Sequence, residues 1–394
     1  MITVDEALSI LDNFPIRLQT EKIPFEEALG RILAKPIIAD RDFPPYDRVA
    51  MDGIAIEFER YAAGQRIFTI EKTIPAGTPQ ARIEDHTACV EIMTGAVLTE
   101  GCDTVIPYEE VSIENGIATI NGTVIAKQHV HRQGNDRKKH DVLVESGSRV
   151  APVDIGIAAT VGASELEVFR KPDVCLVSTG DELVPVGGIP APHQIRTSNS
   201  YALMAALHGY FGNVSYRHLM DDETQVYEAI TELLQHFQIL IFIGGSSMGK
   251  FDFLPSALRN SGLEEHFYRI KQRPGKPFWF GSHNNQFVFS LPGNPVSCYL
   301  CLEKYYKYWL NKSLGYLKNN ETAQLAQDFV FEPDLTYFLQ VKLMNDTGVT
   351  QAIPIVGGGS GDHSNLADVD GFLELPRGRS HFKAGESFTL LRFR

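Results

Sequence analysis

Three loops in the second half of the chain carry residue types suited to phosphate oxygens and a hard cation. The first is Ser178-Thr179-Gly180-Asp181-Glu182, directly after the apolar run Val174-Cys175-Leu176-Val177. Its hydroxyls and glycine backbone suit phosphate, and its adjacent carboxylates suit a divalent metal. The second, residues 244–252, opens with Gly244-Gly245-Ser246 after Ile239-Leu240-Ile241-Phe242-Ile243 and ends on Asp252. Paired glycines let a ligand approach the backbone N–H groups, and Asp252 can share a cation with Glu182. The spacing is not that of a P-loop. The third is Leu291-Pro292-Gly293-Asn294-Pro295-Val296-Ser297, where Asn294 suits an N-cap and Pro295 the first helical position. A helix N-terminus of this kind attracts anions. Just upstream, Lys271, Arg273 and Lys276 surround a Pro-Gly turn. Each loop alone reads equally well as a plain turn, a capped helix or a solvated basic segment. Three of them at strand ends of one sheet favour phosphate binding.

Two further places hold candidate groups. Met51-Asp52-Gly53 puts a carboxylate before a glycine, which in isolation reads as a turn aspartate. Residues 129–140 gather Arg132, Arg137, Lys138 and Lys139 around Asp136, either a contact for a distant phosphate or a solvated charge run. Cys298 and Cys301 have C-x-x-C spacing but fall inside a predicted helix with no second pair, so they read as packing residues. His129-Val130-His131 alternates like a strand and lacks a metal-binding partner motif.

The elements that must position these groups change character along the chain. Thr3-Val4-Asp5-Glu6 is a capping box, followed by apolar residues at helical spacing. A short helix is expected over 24–29, then an extended segment through Pro44 and Pro45. Residues 54–126 read as strands, with hairpin turns at Asn115-Gly116 and Asn121-Gly122. Residues 152–161 predict a helix closed by Gly162. Between about 172 and 309, apolar strands alternate with helices such as 222–237, the pattern of a parallel sheet with right-handed crossovers. Past about 317, short strands return, with turns at Asp346-Thr347-Gly348 and Asp370-Gly371.

A chain of 394 residues exceeds one hydrophobic core, and 43% hydrophobic content argues against disorder on a domain scale. A net charge of −13 disfavours nucleic acid and anionic membrane as partners. No apolar run approaches the ~20 residues of a membrane span. The acidic N-terminus is unlike a signal peptide, and five cysteines make no disulfide framework, so a reducing cytoplasm is expected.

Taken in order along the chain, the motifs resemble the molybdopterin molybdenumtransferases, the MoeA family that includes the gephyrin E domain. The matching segments are Ala28-Leu29-Gly30-Arg31, Ala50-Met51-Asp52-Gly53, Met93-Thr94-Gly95 with Gly101-Cys102-Asp103, and Gly134-Asn135-Asp136. They continue through residues 178–183, 244–252, 274–277 and 291–297 to Ser360-Gly361 and Leu366-Ala367. The resemblance implies a multidomain α/β plus β chain of four domains. Domain I is discontinuous (1–46 and 131–170), domain II is a mostly β insert (47–130), domain III is a three-layer α/β molybdopterin-binding domain (171–318), and domain IV is a C-terminal β-barrel-like domain (319–394).

It also implies a homodimer whose cleft lies between domain III of one subunit and domains I and II of the other. The implied reaction is insertion of molybdate into adenylylated molybdopterin with release of AMP, using Mg²⁺, with transient contacts to other molybdenum-cofactor pathway proteins. By carry-over, Asp52, Thr94, Asp136, Glu182 and Asp252 are the catalytic candidates, with Glu182 and Asp252 as metal ligands. Arg132, Lys271, Arg273 and Lys276 would hold anions. Ser178, Thr179, Gly180, Asp181, Gly244, Gly245, Ser246, Pro292, Asn294, Pro295 and Ser297 would shape the substrate pocket. The chain departs from the usual pattern at Ser246 (commonly Val), Arg273 (often Lys) and Arg48 (often smaller). Two other readings share the α/β domain: a molybdopterin adenylyltransferase, whose chains are far shorter, and a non-catalytic molybdopterin-binding scaffold, which needs no carboxylates at these positions.

Overall fold

The structure is a computed structural model and describes residues 1–394 other than 209–212, 246–252, 317–320 and 347. The expected contributions of Ser246 and Asp252 therefore lie outside the described residues, as does part of the expected 346–348 turn.

The α/β region forms a six-stranded sheet in the order Val214–Leu219, Val174–Thr179, Ile239–Ile243, Gln286–Leu291, Trp279–His283, Glu264–Tyr268. The first four strands are parallel, and the last two add an antiparallel edge. Alternate residues of the buried strands go to opposite faces. Val174, Leu176, Ile239 and Ile241 join one apolar layer with Leu203, Leu207, Leu300 and Trp309. Cys175, Val177, Leu240 and Phe242 join the other with Val226, Ile230, Leu254 and Leu258. That division explains why these strands read as unbroken apolar runs: both faces are covered by helix.

The N-terminal helix Val4–Asp12 has the expected capping box at Thr3 and Glu6. Its buried residues Val4, Ala7 and Leu11 pack into the first of those two layers. Asp12 pairs with Lys312 at 2.5 Å, and Trp309 Nε1 donates to the Phe14 carbonyl at 2.7 Å. The chain then leaves this region, and Thr20–Pro24 pairs with Glu165–Phe169.

The β insert is a six-stranded sheet in the order Thr104–Pro107, Gly53–Ile56, Cys89–Ile92, Ile67–Ile74, Ile117–Ile120, Val111–Glu114. Asn115 and Gly116 take φ of 51° and 77°, the expected hairpin turn between its last two strands. Asn121-Gly122 is not a hairpin turn. Neither residue has positive φ, and the Asn121 N–H donates to the Glu110 carbonyl, which carries the strand end past its partner. The helix expected over 24–29 is only a 3₁₀ turn, Phe25–Glu27; Gly30 takes φ 76° and gives its N–H to the Val150 carbonyl, which turns the chain away. Helix Pro152–Thr160 forms as expected, with Gly162 at φ 69° just past its end.

The C-terminal strands close into a five-stranded barrel through Thr336–Asp346, Val349–Pro354, Glu321–Leu325, Ser387–Arg392 and Gly371–Leu375. Asp370 stands outside any turn; its carboxylate accepts the Leu343 N–H at 2.9 Å and pairs with Lys342, both on the neighbouring strand. Strand Gln272–Arg273 pairs with Thr336–Tyr337, so the basic loop is tied to the barrel by backbone. Lys304 and Glu374, both largely buried, pair at 2.6 Å across the same junction.

Candidate functional site

Strands Val174–Thr179 and Ile239–Ile243 are neighbours, and the chain crosses over to opposite sides of them. This is the topological switch point, where the loops diverge and leave a crevice. A cavity of about 500 Å³ occupies it. Thr179, Gly180 and Glu182 line it from the first loop, and Gly244 and Gly245 from the second. Pro292, Asn294 and Pro295 contribute from the third.

Glycine is needed at position 180, which has φ 135°; a Cβ there would sit 2.5 Å from a Glu182 carboxylate oxygen. Its absence lets the Glu182 side chain fold back over its own loop. Ser178 is buried, and its hydroxyl is already shared with Tyr216 Oη at 2.7 Å and His218 Nδ1 at 3.0 Å. The Asp181 carboxylate accepts the Asp221 N–H at 3.0 Å.

Several lining residues escaped the sequence reading. Asp221 follows strand Val214–Leu219 and lines the cavity; burial, then the charges of Asp181 and Glu182, push its carboxyl above the ordinary range. Arg196, Thr197, Asn199 and Ser200 come from the strand and helix that follow the first loop. Asn199 donates to the Gly293 carbonyl at 2.7 Å, and the buried Ser200 hydroxyl has no partner among the described residues. The one signal for these was position: Asp221 lies at a strand end, and 196–200 precede a helix.

A second cavity, about 540 Å³, lies between the α/β region and the barrel. Arg273, Lys276 and Ser297 line it together with Tyr337, Gln340 and residues 356–360. The basic loop is anchored by buried Gln272, whose amide donates to the Gly275 carbonyl at 3.0 Å and whose own carbonyl accepts from Tyr305 Oη. Gly275 has φ 84°, and a Cβ there would meet Cys301 Sγ at 2.7 Å. The helix Pro295–Cys301 starts where expected, yet Asn294 does not cap it with its side chain. Its amide donates instead to Ser360 Oγ at 2.9 Å, bridging to the barrel. Pro277, Pro292 and Asn294 line both cavities. Lys271 lines neither; its backbone is held by Ile2 and Thr336, and its charge falls near Glu6 and Asp334. Cys298 and Cys301 are buried free thiols within the helix, and burial pushes both thiols well up.

The remaining candidates gather elsewhere, on one ribbon where the β insert joins its neighbour. Gly53 pairs opposite Ile92, so Asp52 and Thr94 meet at the same sheet end. The Thr94 N–H donates to Asp52 Oδ1 at 2.6 Å, and that bond, aided by the Thr94 hydroxyl, holds the Asp52 carboxyl below its ordinary range. Four residues upstream, Arg48–Val49 pairs with Val130–His131. That pairing brings in Asp136, whose Oδ1 lies 2.8 Å from His131 Nε2. Arg132 is engaged by Asp47 at 2.5 Å. No three His, Cys, Asp or Glu side chains converge as a metal cage among the described residues.

Comparison with known proteins agrees with this layout along the chain. Residues 2–162 match the MoeA N-terminal region (domain I and II), residues 175–312 a probable molybdopterin binding domain, and residues 322–393 the MoeA C-terminal region (domain IV). The chain belongs to the MoeA family. Among MoeA relatives, the molybdopterin molybdenumtransferase of Synechocystis sp. is 40% identical over 98% of this chain and 99% of its own. That of Bacillus subtilis is 31% identical over 100% of this chain and 94% of its own. The crystal structure of a molybdopterin biosynthesis MoeA protein from Pyrococcus horikoshii superposes with a TM-score of 0.84 at 29% identity, covering 100% of this chain and 99% of the other. The four-domain MoeA architecture, with its closed C-terminal barrel, is thus the architecture of this chain.

Proposed function

We propose that this MoeA protein is a molybdopterin molybdenumtransferase, inserting molybdate into adenylylated molybdopterin and releasing AMP. The observation that carries the reading is the pair of cavities with common walls at Pro277, Pro292 and Asn294. One is lined by Glu182, Asp221, Arg196 and glycine backbone, the other by Arg273 and Lys276. A ligand with a phosphoanhydride at one end and further anionic groups at the other fits such a pair.

A Mg²⁺ ion suits the acidic end. Glu182 and Asp221 face the cavity, and the Asp221 carboxyl is raised first by burial and then by the charges of Asp181 and Glu182, which a divalent cation would offset. Mg²⁺ commonly takes one or two carboxylates and completes its shell with water and phosphate oxygens. Glu182 and Asp221 would hold it here, with Asp252 as the further candidate from the sequence. Bound there, it would neutralise charge on the anhydride. The backbone at Gly180, Gly244 and Gly245 would orient the phosphates, while Arg273 and Lys276 fix the other anionic end.

The reading assigns Asp52, Thr94 and Asp136 to the same reaction from a second subunit, as a homodimer whose ribbon faces the partner's cavity. The domain limits given above are part of this proposal, as is residence in the cytoplasm. Among the described residues, no helix is long and apolar enough to cross a membrane.

The test is AMP release from adenylylated molybdopterin with Mg²⁺, with and without molybdate. Molybdate-dependent AMP release is expected. Formation of adenylylated molybdopterin from ATP without molybdate would instead favour the adenylyltransferase. Binding without turnover would favour the scaffold.

A further inference from the structure

The Asp136 carboxylate is not free on its loop. Its Oδ1 lies 2.8 Å from His131 Nε2, and the other ring nitrogen, Nδ1, lies 3.2 Å from an Arg48 guanidinium nitrogen. A guanidinium has only donors and keeps its charge, so Nδ1 must accept from Arg48. A neutral imidazole carries one proton, which is therefore on Nε2 and is donated to Asp136. An unassisted histidine can adopt either tautomer; Arg48 at Nδ1 and the acceptor-only Asp136 carboxylate at Nε2 both select this one. Adding a proton at Nδ1 would break the Arg48 contact, because that nitrogen cannot accept and donate at once.

The backbone holds both ends of this chain of groups. His131 stands opposite Arg48 in the two-residue pairing of Val130–His131 with Arg48–Val49. The Asp136 N–H donates to the Phe43 carbonyl at 2.9 Å, and the Gly134 N–H to the Pro44 carbonyl at 2.9 Å. The neighbouring charges have their own partners: Arg132 takes Asp47, and Arg137 donates to the Asp136 backbone carbonyl at 3.1 Å. The His131 side chain is 28% exposed, and that of Asp136 52%. The carboxylate thus faces solvent while its orienting ring is largely covered.

We infer that His131, held by Arg48 as the Nε2–H tautomer, is the positioning residue for the Asp136 carboxylate. The inference rests on the reading above that Asp136 takes part in the reaction. His131 touches no substrate in this account. It fixes which way one carboxylate oxygen points, leaving the other for the substrate side. Such a role is expected to act on turnover rather than on substrate affinity.

Two measurements on the full-length protein test it. Long-range ¹H–¹⁵N NMR should find the His131 ring protonated at Nε2 and unprotonated at Nδ1. Kinetics of AMP release should show His131→Ala lowering kcat roughly 10- to 100-fold with KM unchanged, as misplacement of a reacting group does. His131→Gln, which keeps one N–H donor and one acceptor, should recover most of that loss. A ring protonated at Nδ1, or wild-type kcat in His131→Ala, would overturn the inference. Asp136→Asn separates the two levels. Normal turnover in that variant sinks the role of Asp136 itself, whereas loss there beside an unaffected His131→Ala sinks only the role of His131.

Discussion

The strand-end crevice and the Asp52–Asp136 ribbon present their functional groups by opposite means. The crevice is concave, and much of its lining is backbone: glycines and prolines at the ends of parallel strands, with Glu182 and Asp221 set into the wall. The ribbon carries its carboxylates on an open face, Asp52 held by the Thr94 N–H and hydroxyl and Asp136 by the His131 ring. Burial raises the proton affinity of Asp221 in the crevice, whereas hydrogen bonding lowers that of Asp52 on the ribbon. The first surface is shaped to enclose a ligand; the second lies open, as the proposed docking against a partner's crevice requires.

Variants in the two regions should therefore fail differently. The largest effect is expected from Glu182→Gln, which should cut molybdate-dependent AMP release by roughly 10²–10³-fold, as loss of a main electrostatic group does. Asp52→Asn should also lose turnover, yet bind adenylylated molybdopterin with wild-type affinity in a titration. Equal loss of binding in Asp52→Asn would break the comparison. Next, Arg273→Ala should raise KM about tenfold, with an added dependence on salt, since an anion contact is removed. An unchanged KM would take the basic loop out of the substrate site.

Smaller effects fall on the scaffold. Gly275→Ala should cost about 1–3 kcal/mol in chemical unfolding, because φ 84° is strained for alanine and the new Cβ meets Cys301. Asn294→Ala should cost about 0.5–1.5 kcal/mol by losing its bond to Ser360, with KM rising as the junction with the barrel loosens. The smallest effect concerns protonation. Thr94→Val keeps the backbone bond but loses the hydroxyl, so the Asp52 carboxyl should titrate closer to its ordinary value by NMR. No movement would mean that the backbone bond alone sets it.

The crevice was largely legible in the sequence because its loops are tied to strand ends. Val174-Cys175-Leu176-Val177 and Ile239–Ile243 are apolar on both faces, and the loop after such a strand sits at the mouth of the sheet. Asp221 was missed because strand Val214–Leu219 is at the sheet edge, and its sequence, Val-Ser-Tyr-Arg-His-Leu, lacks that apolar signature. The ribbon was legible only through family resemblance. Asp52 meets Thr94, and His131 meets Arg48, through pairings between segments some 40 and 80 residues apart, which no local pattern encodes. Asn294 shows a third case. Its cap propensity placed the helix start correctly, but tertiary contact with Ser360 took over the side chain.

In the proposed dimer, one reaction uses the crevice of one subunit and the ribbon of the other. This is tested most directly by mixing Asp52→Asn protein with Glu182→Gln protein under conditions where subunits exchange, then measuring molybdate-dependent AMP release. In each mixed dimer, one site would pair an intact Glu182 with an intact Asp52. Random exchange should therefore restore roughly a quarter of wild-type activity from two inactive parents. A mixture that stays as inactive as its parents, with exchange verified by mass spectrometry of differently tagged subunits, would contradict the account.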